Sequence, residues 1–192
     1  MSGGGVYRSM PHSGPLLLIA LALVIPCMAQ LPRAPDVDAQ RTAMKKLSFL
    51  VGKWSGEASV LRGPGGPPPP AVELAQTEEA QYKLDGLVLV IEGTGRTKAG
   101  GQVVLQALGL ISFDDQAGTY RMRAYNDGRW LETEVTLAEG GQGITWGFAL
   151  GEIKTSSLLR INEKGEWTEL GEITIGSQPP RPFMKLTVRP QK

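Results

Sequence analysis

Histidine and cysteine are nearly absent from this sequence, whose 192 residues include one of each, His12 and Cys27. From residue 28 onward the chain has neither an imidazole nor a thiol. That part of the chain therefore has no side chains for a disulfide, a histidine or cysteine metal site, a Ser-His-Asp triad or a cysteine nucleophile. We expect a non-enzymatic protein with no catalytic residue and no metal site.

An excess of charge of one sign is also lacking. The chain has 20 Lys and Arg residues against 19 Asp and Glu residues, so its formal net charge is +1 at pH 7. No cluster of basic residues alternates with aromatic residues, as it does in proteins that bind nucleic acid. These features predict that nucleic acid is not a partner of this protein.

Residues 1–29 have the pattern of a signal peptide. Arg8 precedes an apolar run between Pro15 and Pro26 that is too short to cross a bilayer, and Ala29 is the small residue at the cleavage position. We predict cleavage after Ala29, export to the periplasm or the extracellular space, and no transmembrane span in the mature chain. A lipoprotein signal would instead acylate Cys27, but such signals have a small residue where this chain has proline.

One helix is predicted at the start of the mature chain. Residues 30–35 form an N-terminal tether, and the domain itself covers residues 36–192. The helix begins at an aspartate N-cap, Asp36 or Asp38, and ends at Gly52. Its predicted apolar face consists of Met44, Leu47 and Val51.

The remainder of the sequence alternates between segments rich in β-branched and aromatic residues and short turns rich in glycine and aspartate. Connections of this length leave no room for helical crossovers, so neighbouring strands should pair antiparallel and close into a barrel. The predicted fold is all-β, a single antiparallel up-and-down β-barrel of about ten strands with a short N-terminal helix. We predict strands at 53–62, 73–84, 87–97, 102–113, 119–126, 129–138, 143–150, 154–162, 166–175 and 181–189.

The long connection at residues 63–70 is rich in proline and glycine. Such a stretch is typical of a stiff loop, and it also has the composition of a ligand for proline-binding domains. We favour the loop, because an exported protein has little access to those domains.

Two predicted hairpins indicate which side chains face the barrel interior. A two-residue turn at Asp127-Gly128 pairs Arg123 with Glu132 and Arg121 with Glu134 on the outer face. A four-residue loop at 139–142 then pairs Val135 with Trp146, Thr133 with Phe148 and Leu131 with Leu150 on the inner face. The predicted inner face provides the candidate ligand-binding residues Tyr120, Met122, Leu131, Val135, Trp146 and Phe148.

Two interpretations of this apolar inner face remain open. Barrels of about eight strands are filled by side chains, whereas wider barrels leave space. With about ten strands we favour a cavity that binds or carries a small hydrophobic ligand. In the alternative, the barrel is filled and the protein acts through its surface as a structural or protein-interaction module. The oligomeric state is not predicted by either interpretation.

The charged pairs on the strands have ordinary explanations. Arg121-Met-Arg123-Ala-Tyr125 resembles the Arg-x-Tyr pair by which fatty-acid carriers hold a carboxylate, but the predicted register turns both arginines outward. Glu78-Glu79 and the pair of Glu132 and Glu134 lie on strands, where an outward carboxylate is ordinary. Asp114-Asp115 falls in a predicted turn, where aspartate commonly bonds its own backbone.

The segment from Leu47 to Glu57 resembles the start of the first strand in lipocalin-like (calycin) barrels, where a Gly-x-Trp motif follows a short helix. Here the motif is Gly52-Lys53-Trp54, and the resemblance implies structural roles for Gly52 and Trp54, with Trp54 packed across the closed end of the barrel. An arginine from a late strand, Arg189 or Arg160, is expected over its ring. Together with the tyrosine-bearing strand that starts at Tyr120 and the Thr145-Trp146 strand, the motif resembles the uncharacterised secreted bacterial relatives of the nitrobindins.

Haem is the ligand that this resemblance brings into question. Nitrobindins bind haem through a histidine on the barrel, and no histidine follows His12 in this sequence. The resemblance therefore implies the barrel without the haem site, and we expect no cofactor.

Overall fold

The computed structural model describes residues 33–61 and 71–192. The predicted signal peptide at 1–29, residues 30–32 of the predicted tether and the proline-rich stretch at 63–70 lie outside these ranges. Within them, no helix has both the length and the apolar character needed to cross a membrane.

The described chain forms one short helix followed by antiparallel strands. The helix α1 spans Val37–Lys45, and a turn of 3-10 helix spans Ser48–Leu50. The strands are β1 Gly52–Val60, β2 Val72–Lys83, β3 Val88–Thr97, β4 Val103–Asp114, β5 Thr119–Asn126, β6 Arg129–Leu137, β7 Gly143–Trp146, β8 Ala149–Leu150, β9 Ile153–Ile161, β10 Trp167–Ile175 and β11 Arg181–Pro190.

The strands close into a single barrel. Most neighbours in sequence pair directly, β1 pairs with β11, and β9 pairs with β10. β7 and β8 form one interrupted strand of the barrel, because both pair with β9 in a continuous register. With β7 and β8 counted as one strand, the result is a closed antiparallel barrel of ten strands with one short helix on its N-terminal side. This confirms the predicted fold class.

The helix ends earlier than predicted. Asp36 is its N-cap, since the Asp36 carboxylate accepts a hydrogen bond of 2.9 Å from the Ala39 amide. After Lys45 the chain tightens into the 3-10 turn, which puts Leu50 rather than Val51 on the buried side. Val51 is exposed and therefore does not belong to the apolar face predicted for it.

The core lies under this helix, at what we call the helix end of the barrel. The hydroxyls of Tyr82 and Tyr120 donate hydrogen bonds of 2.6 Å and 2.7 Å to the carbonyls of Met44 and Ala43. These carbonyls also accept backbone hydrogen bonds from the amides of Lys46 and Leu47, so each tyrosine adds a second bond at the C-terminal end of α1. The barrel and the helix are joined by these polar contacts and by apolar packing.

The predicted register is confirmed in the β5–β6 hairpin and in part of the next one. Asp127 and Gly128 both have positive φ, 49° and 74°, as a two-residue type I′ turn requires. Arg123 pairs with Glu132, and Val135 pairs with Trp146, as predicted. The pairings of Thr133 with Phe148 and of Leu131 with Leu150 are wrong, because β8 pairs with β9 and not with β6.

Candidate functional site

The barrel interior is packed at the helix end and looser in its other half, which we call the far half. Inward-facing Leu89, Ile111 and Val188 at the helix end are fully buried. Several inward-facing side chains of the far half keep part of their surface accessible, although Leu74 in that half is fully buried. This group contains Leu131, Trp146, Phe148, Thr155, Ile173 and Met184.

The structure divides the predicted ligand-binding residues between the two halves. Tyr120, Met122 and Val135 are buried at the helix end, where the Tyr120 hydroxyl is already bonded to the helix. The predicted residues of the far half are Leu131, Trp146 and Phe148. The side chains of this second group are only partly buried.

A gap in strand pairing lies next to those residues. β6 pairs with β7 only from Val135 to Leu137, and within the described residues β6 and β8 form no ladder. The Thr133 hydroxyl on β6 donates a hydrogen bond of 2.5 Å to the carbonyl of Gly147, which lies between β7 and β8. Exposed apolar side chains stand nearby on the two strands, since Trp130 is 62% exposed and Leu150 is 72% exposed.

Four polar side chains face the interior from β2, β9 and β10. They are Gln76, Glu78, Ser157 and Glu169. The Gln76 amide donates a hydrogen bond of 2.7 Å to the Glu78 carboxylate, and the Ser157 hydroxyl is hydrogen-bonded to the Glu169 carboxylate. We call these four residues the interior polar cluster.

Burial keeps both carboxyls of this cluster partly protonated. It raises the pKa of Glu78 from 4.5 to about 8, and the negative charge of Glu169 adds to that rise while the Gln76 hydrogen bond opposes it. Burial likewise raises the pKa of Glu169 to about 7, against the effect of the Ser157 hydrogen bond. Since the charge of Glu169 raises the pKa of Glu78, the two carboxyls lie within electrostatic range of each other.

Two glycines of β3 make room for the cluster. A Cβ atom at Gly93 would lie 2.7 Å from one oxygen of the Glu78 carboxylate, and a Cβ atom at Gly95 would lie 2.6 Å from the Gln76 side-chain oxygen. Any larger residue at either position would push these polar groups out of place. Close approach to the backbone therefore explains both glycines.

A pair of tryptophans lies next to the cluster on the helix side. Trp54 is directly opposite Glu78 in the ladder of β1 and β2, and Trp167 precedes Glu169 by two residues on the same face of β10. Their rings meet edge to face, with centroids 5.7 Å apart. The Trp54 indole donates to the Leu50 carbonyl at 2.9 Å.

The aromatic partner of Trp54 differs from the expected one. The predicted arginine is not over this ring, because Arg189 instead pairs with Glu166 at 2.7 Å. The place expected for the arginine is taken by Trp167. The predicted burial of Trp54 at the helix end is confirmed, and the ring is only 6% exposed.

The expectation that Glu78 points outward is wrong. Side chains alternate between the two faces of a strand, so Glu78 and Glu79 cannot both face solvent. The structure turns Glu79 outward, 3.6 Å from Lys53, and Glu78 inward. Leu74, Gln76, Glu78 and Ala80 alternate along the strand and therefore share one face. The polarity of Gln76 and Glu78 concealed that this face is the inner one.

The other charged residues of interest lie on the outer surface. Arg123 contacts Glu132 and stacks over Trp130 at 5.0 Å, and Arg121 lies 3.1 Å from Glu134. These exposed pairs line part of a groove of about 620 Å³ along β4, β5 and β6. They agree with the outward ladder and disagree with a carboxylate site of the fatty-acid carrier kind.

The Asp114-Asp115 turn has one role that the sequence did not suggest. The Asp114 carboxylate accepts hydrogen bonds of 3.0 Å from the amides of Gln116 and Ala117, which is the predicted turn chemistry. The Asp115 carboxylate instead accepts from the Asp36 amide at 2.9 Å and from the Gln40 side chain at 2.6 Å. It thereby fastens the start of α1 to the β4–β5 turn.

Comparison with known proteins finds a similar fold and does not identify a function. The chain is similar in structure to Rv2717c from M. tuberculosis, with a TM-score of 0.60 and 17% sequence identity. The similarity covers 78% of this chain and 98% of Rv2717c. No protein-family model and no curated protein matches the sequence. At this level of identity, the likeness to Rv2717c shows a shared barrel fold alone.

Proposed function

We propose that this protein is a non-enzymatic, exported barrel that binds or carries a small, largely apolar molecule in the far half of its interior. The observation that carries the proposal is the difference in packing between the two halves. Leu89, Ile111 and Val188 at the helix end are fully buried, whereas Leu131, Trp146 and Phe148 keep accessible surface. Ligand sites in proteins have this character, a concave and mainly apolar lining with few polar groups.

The gap between β6 and β8 supports the same proposal. A ligand needs a route into a closed barrel, and an unpaired stretch of strand is easier to open than a continuous ladder. The gap lies beside Leu131 and Phe148, and the exposed Trp130 and Leu150 stand near its edges. We place the passage of the ligand there.

Two parts of the proposal rest on sequence patterns. Export rests on the signal-peptide pattern of residues 1–29. A relationship to the nitrobindins rests on the Gly52-Lys53-Trp54 motif at the start of a ten-stranded barrel. Haem is left out of the proposal, since the chain has no histidine after His12.

The test compares one substitution in each half of the interior. Phe148→Trp adds volume beside the proposed cavity, and Ile144→Phe adds volume in the packed half, where Ile144 is buried. We expect Ile144→Phe to cost about 1 to 3 kcal/mol of unfolding free energy by overpacking. Phe148→Trp should cost less than about 1 kcal/mol and weaken the binding of apolar probes.

Binding is measured by native mass spectrometry and calorimetry with long-chain alcohols, quinones and lipids as probes. The proposal is contradicted if no probe binds saturably and Phe148→Trp destabilises the protein as much as Ile144→Phe does. That outcome would favour the filled barrel that acts through its surface, with Trp130 and Leu150 as exposed apolar positions for contacts.

A further inference from the structure

The two carboxyls inside the barrel have no basic partner. Neither Glu78 nor Glu169 forms an ion pair with any residue that the structure describes. The basic residues that alternation places on the inner face of the described strands, Arg129 and Arg181, lie at the rim of the far half. Burying a carboxylate without a counter-charge costs several kcal/mol, so a pair of them in a barrel interior calls for a physical reason.

Two further polar atoms at this place lack partners. Gln76 is 1% exposed, and its side-chain oxygen accepts no hydrogen bond from the described residues. Trp167 is 2% exposed, and within the same part of the chain its indole N–H has no acceptor. Buried polar atoms are satisfied in most proteins, and exceptions concentrate at functional sites. The Gln76 oxygen adjoins the Glu78 carboxylate, since the Gln76 amide is bonded to it.

We infer that the interior polar cluster binds the protonated amino group of a small organic amine, whose apolar body lies against the far half of the barrel. This inference rests on the proposed function and names the chemical class of its ligand. An alkylammonium group has three N–H donors. The carboxylates of Glu78 and Glu169 and the side-chain amide of Gln76 are three groups with acceptor oxygens.

The surroundings favour an ammonium group over other cations. Trp54 and Trp167 adjoin the carboxyls, and indole rings attract organic cations. Calcium and magnesium sites in proteins use six or more oxygen ligands, counting water. Within the described residues, no group of three or more side chains of the metal-binding types lies close enough together to hold a metal ion.

Protonation of the carboxyls gives the inference a distinctive consequence. In the free protein, burial keeps the pKa of Glu78 near 8 and that of Glu169 near 7, so protons are bound to this pair at neutral pH. A cation beside both carboxyls lowers both pKa values. Binding of the amine at pH 7 should therefore release about one proton per ligand, whereas binding of a neutral molecule should release none.

The experiment compares three probes of equal chain length, octylamine, octanol and octanoate, on the full mature chain. Calorimetry in two buffers of different ionisation enthalpy measures affinity and proton release together. We expect octylamine to bind at least about tenfold more tightly than octanol and to release protons, and octanoate to bind most weakly. Glu78→Gln and Glu169→Gln should each weaken octylamine binding about tenfold while changing octanol binding less than about threefold.

Glu79→Gln is the matched control, because Glu79 neighbours Glu78 in sequence and faces the outside of the barrel. It should leave the affinity for all three probes unchanged. Equal binding of octylamine and octanol, without proton release, overturns the inference and leaves the proposed function standing. Absence of saturable binding for all three probes overturns both. Proton release by wild-type protein keeps the test valid even where a variant folds poorly.

Discussion

Replacing Glu78 by glutamine should change how the stability of this protein depends on pH. The substitution removes a buried carboxyl and keeps the size and the acceptor oxygen that the Gln76 amide needs. Wild-type protein must ionise this carboxyl inside the barrel as pH rises, with Glu169 in the same space. The variant has no such group at that position, so it should lose less stability toward alkaline pH.

The direction and size of the effect follow from the pKa of Glu78. Burial raises this pKa from 4.5 in the unfolded chain to about 8 in the folded protein. Between these values the folded state binds more protons, so the stabilising effect is fully present below pH 4.5 and is lost as pH rises through about 8. The full shift corresponds to an upper limit of about 5 kcal/mol at 1.36 kcal/mol for each pKa unit. Water that enters the loosely packed half on ionisation reduces the cost, and we expect about 2 kcal/mol.

Urea unfolding at a series of pH values from about 5 to 9 measures this difference. The free energy of unfolding of Glu78→Gln, relative to wild type, should rise by about 2 kcal/mol across the series. Glu79→Gln should stay within about 0.5 kcal/mol of wild type throughout, as is usual for surface substitutions. Curves for Glu78→Gln and wild type that run parallel between pH 5 and 9 would refute the reasoning, because they would show a carboxyl that is solvated in the folded protein.

Two further predictions concern the packing around the cluster. Trp54→Ala should cost about 3 to 5 kcal/mol of unfolding free energy in urea titration, whereas Trp130→Ala, at a mostly exposed ring, should cost less than about 1 kcal/mol; similar losses for both would contradict the assigned burial. Gly93→Ala should lower the unfolding midpoint, because its Cβ would lie 2.7 Å from a Glu78 carboxylate oxygen. Adding Glu78→Ala to that variant should recover part of the loss, and simple additivity of the two changes would argue against the contact.

Much of the barrel could be predicted from local patterns. The Asp127-Gly128 dipeptide supplies the positive φ angles that a tight hairpin needs, and the alternating charges on both sides of it leave one register that keeps the faces apart. The same reasoning failed for Phe148 and Leu150. Within the described residues, this end of the strand pairs with β9 and not with β6. Alternation alone does not predict which neighbouring strand the end of a strand pairs with.

The interior polar cluster was missed because the prediction used polarity to judge direction. Glu78 was placed among the strand carboxylates that face solvent, since lone carboxylates are rarely buried, and Glu169 was not singled out. Alternation with Leu74 and Ala80 indicated the inner face for Glu78. Nothing local indicates that Glu169, about ninety residues further along the chain, shares that space.

The sequence by itself determined the class of fold, the order of the strands, the register of the β5–β6 hairpin and the exclusion of histidine and cysteine chemistry from residue 28 onward. These features depend on residue types and on spacings of a few residues, so short segments of the sequence are enough to predict them. Tertiary structure alone decided which half of the barrel is packed, where the ladder is left open, and that Gln76, Glu78 and Glu169 meet beside two tryptophans. Those outcomes depend on closure of the barrel, which brings β2 and β10 to one interior, and contacts between such distant segments are set by the whole sheet.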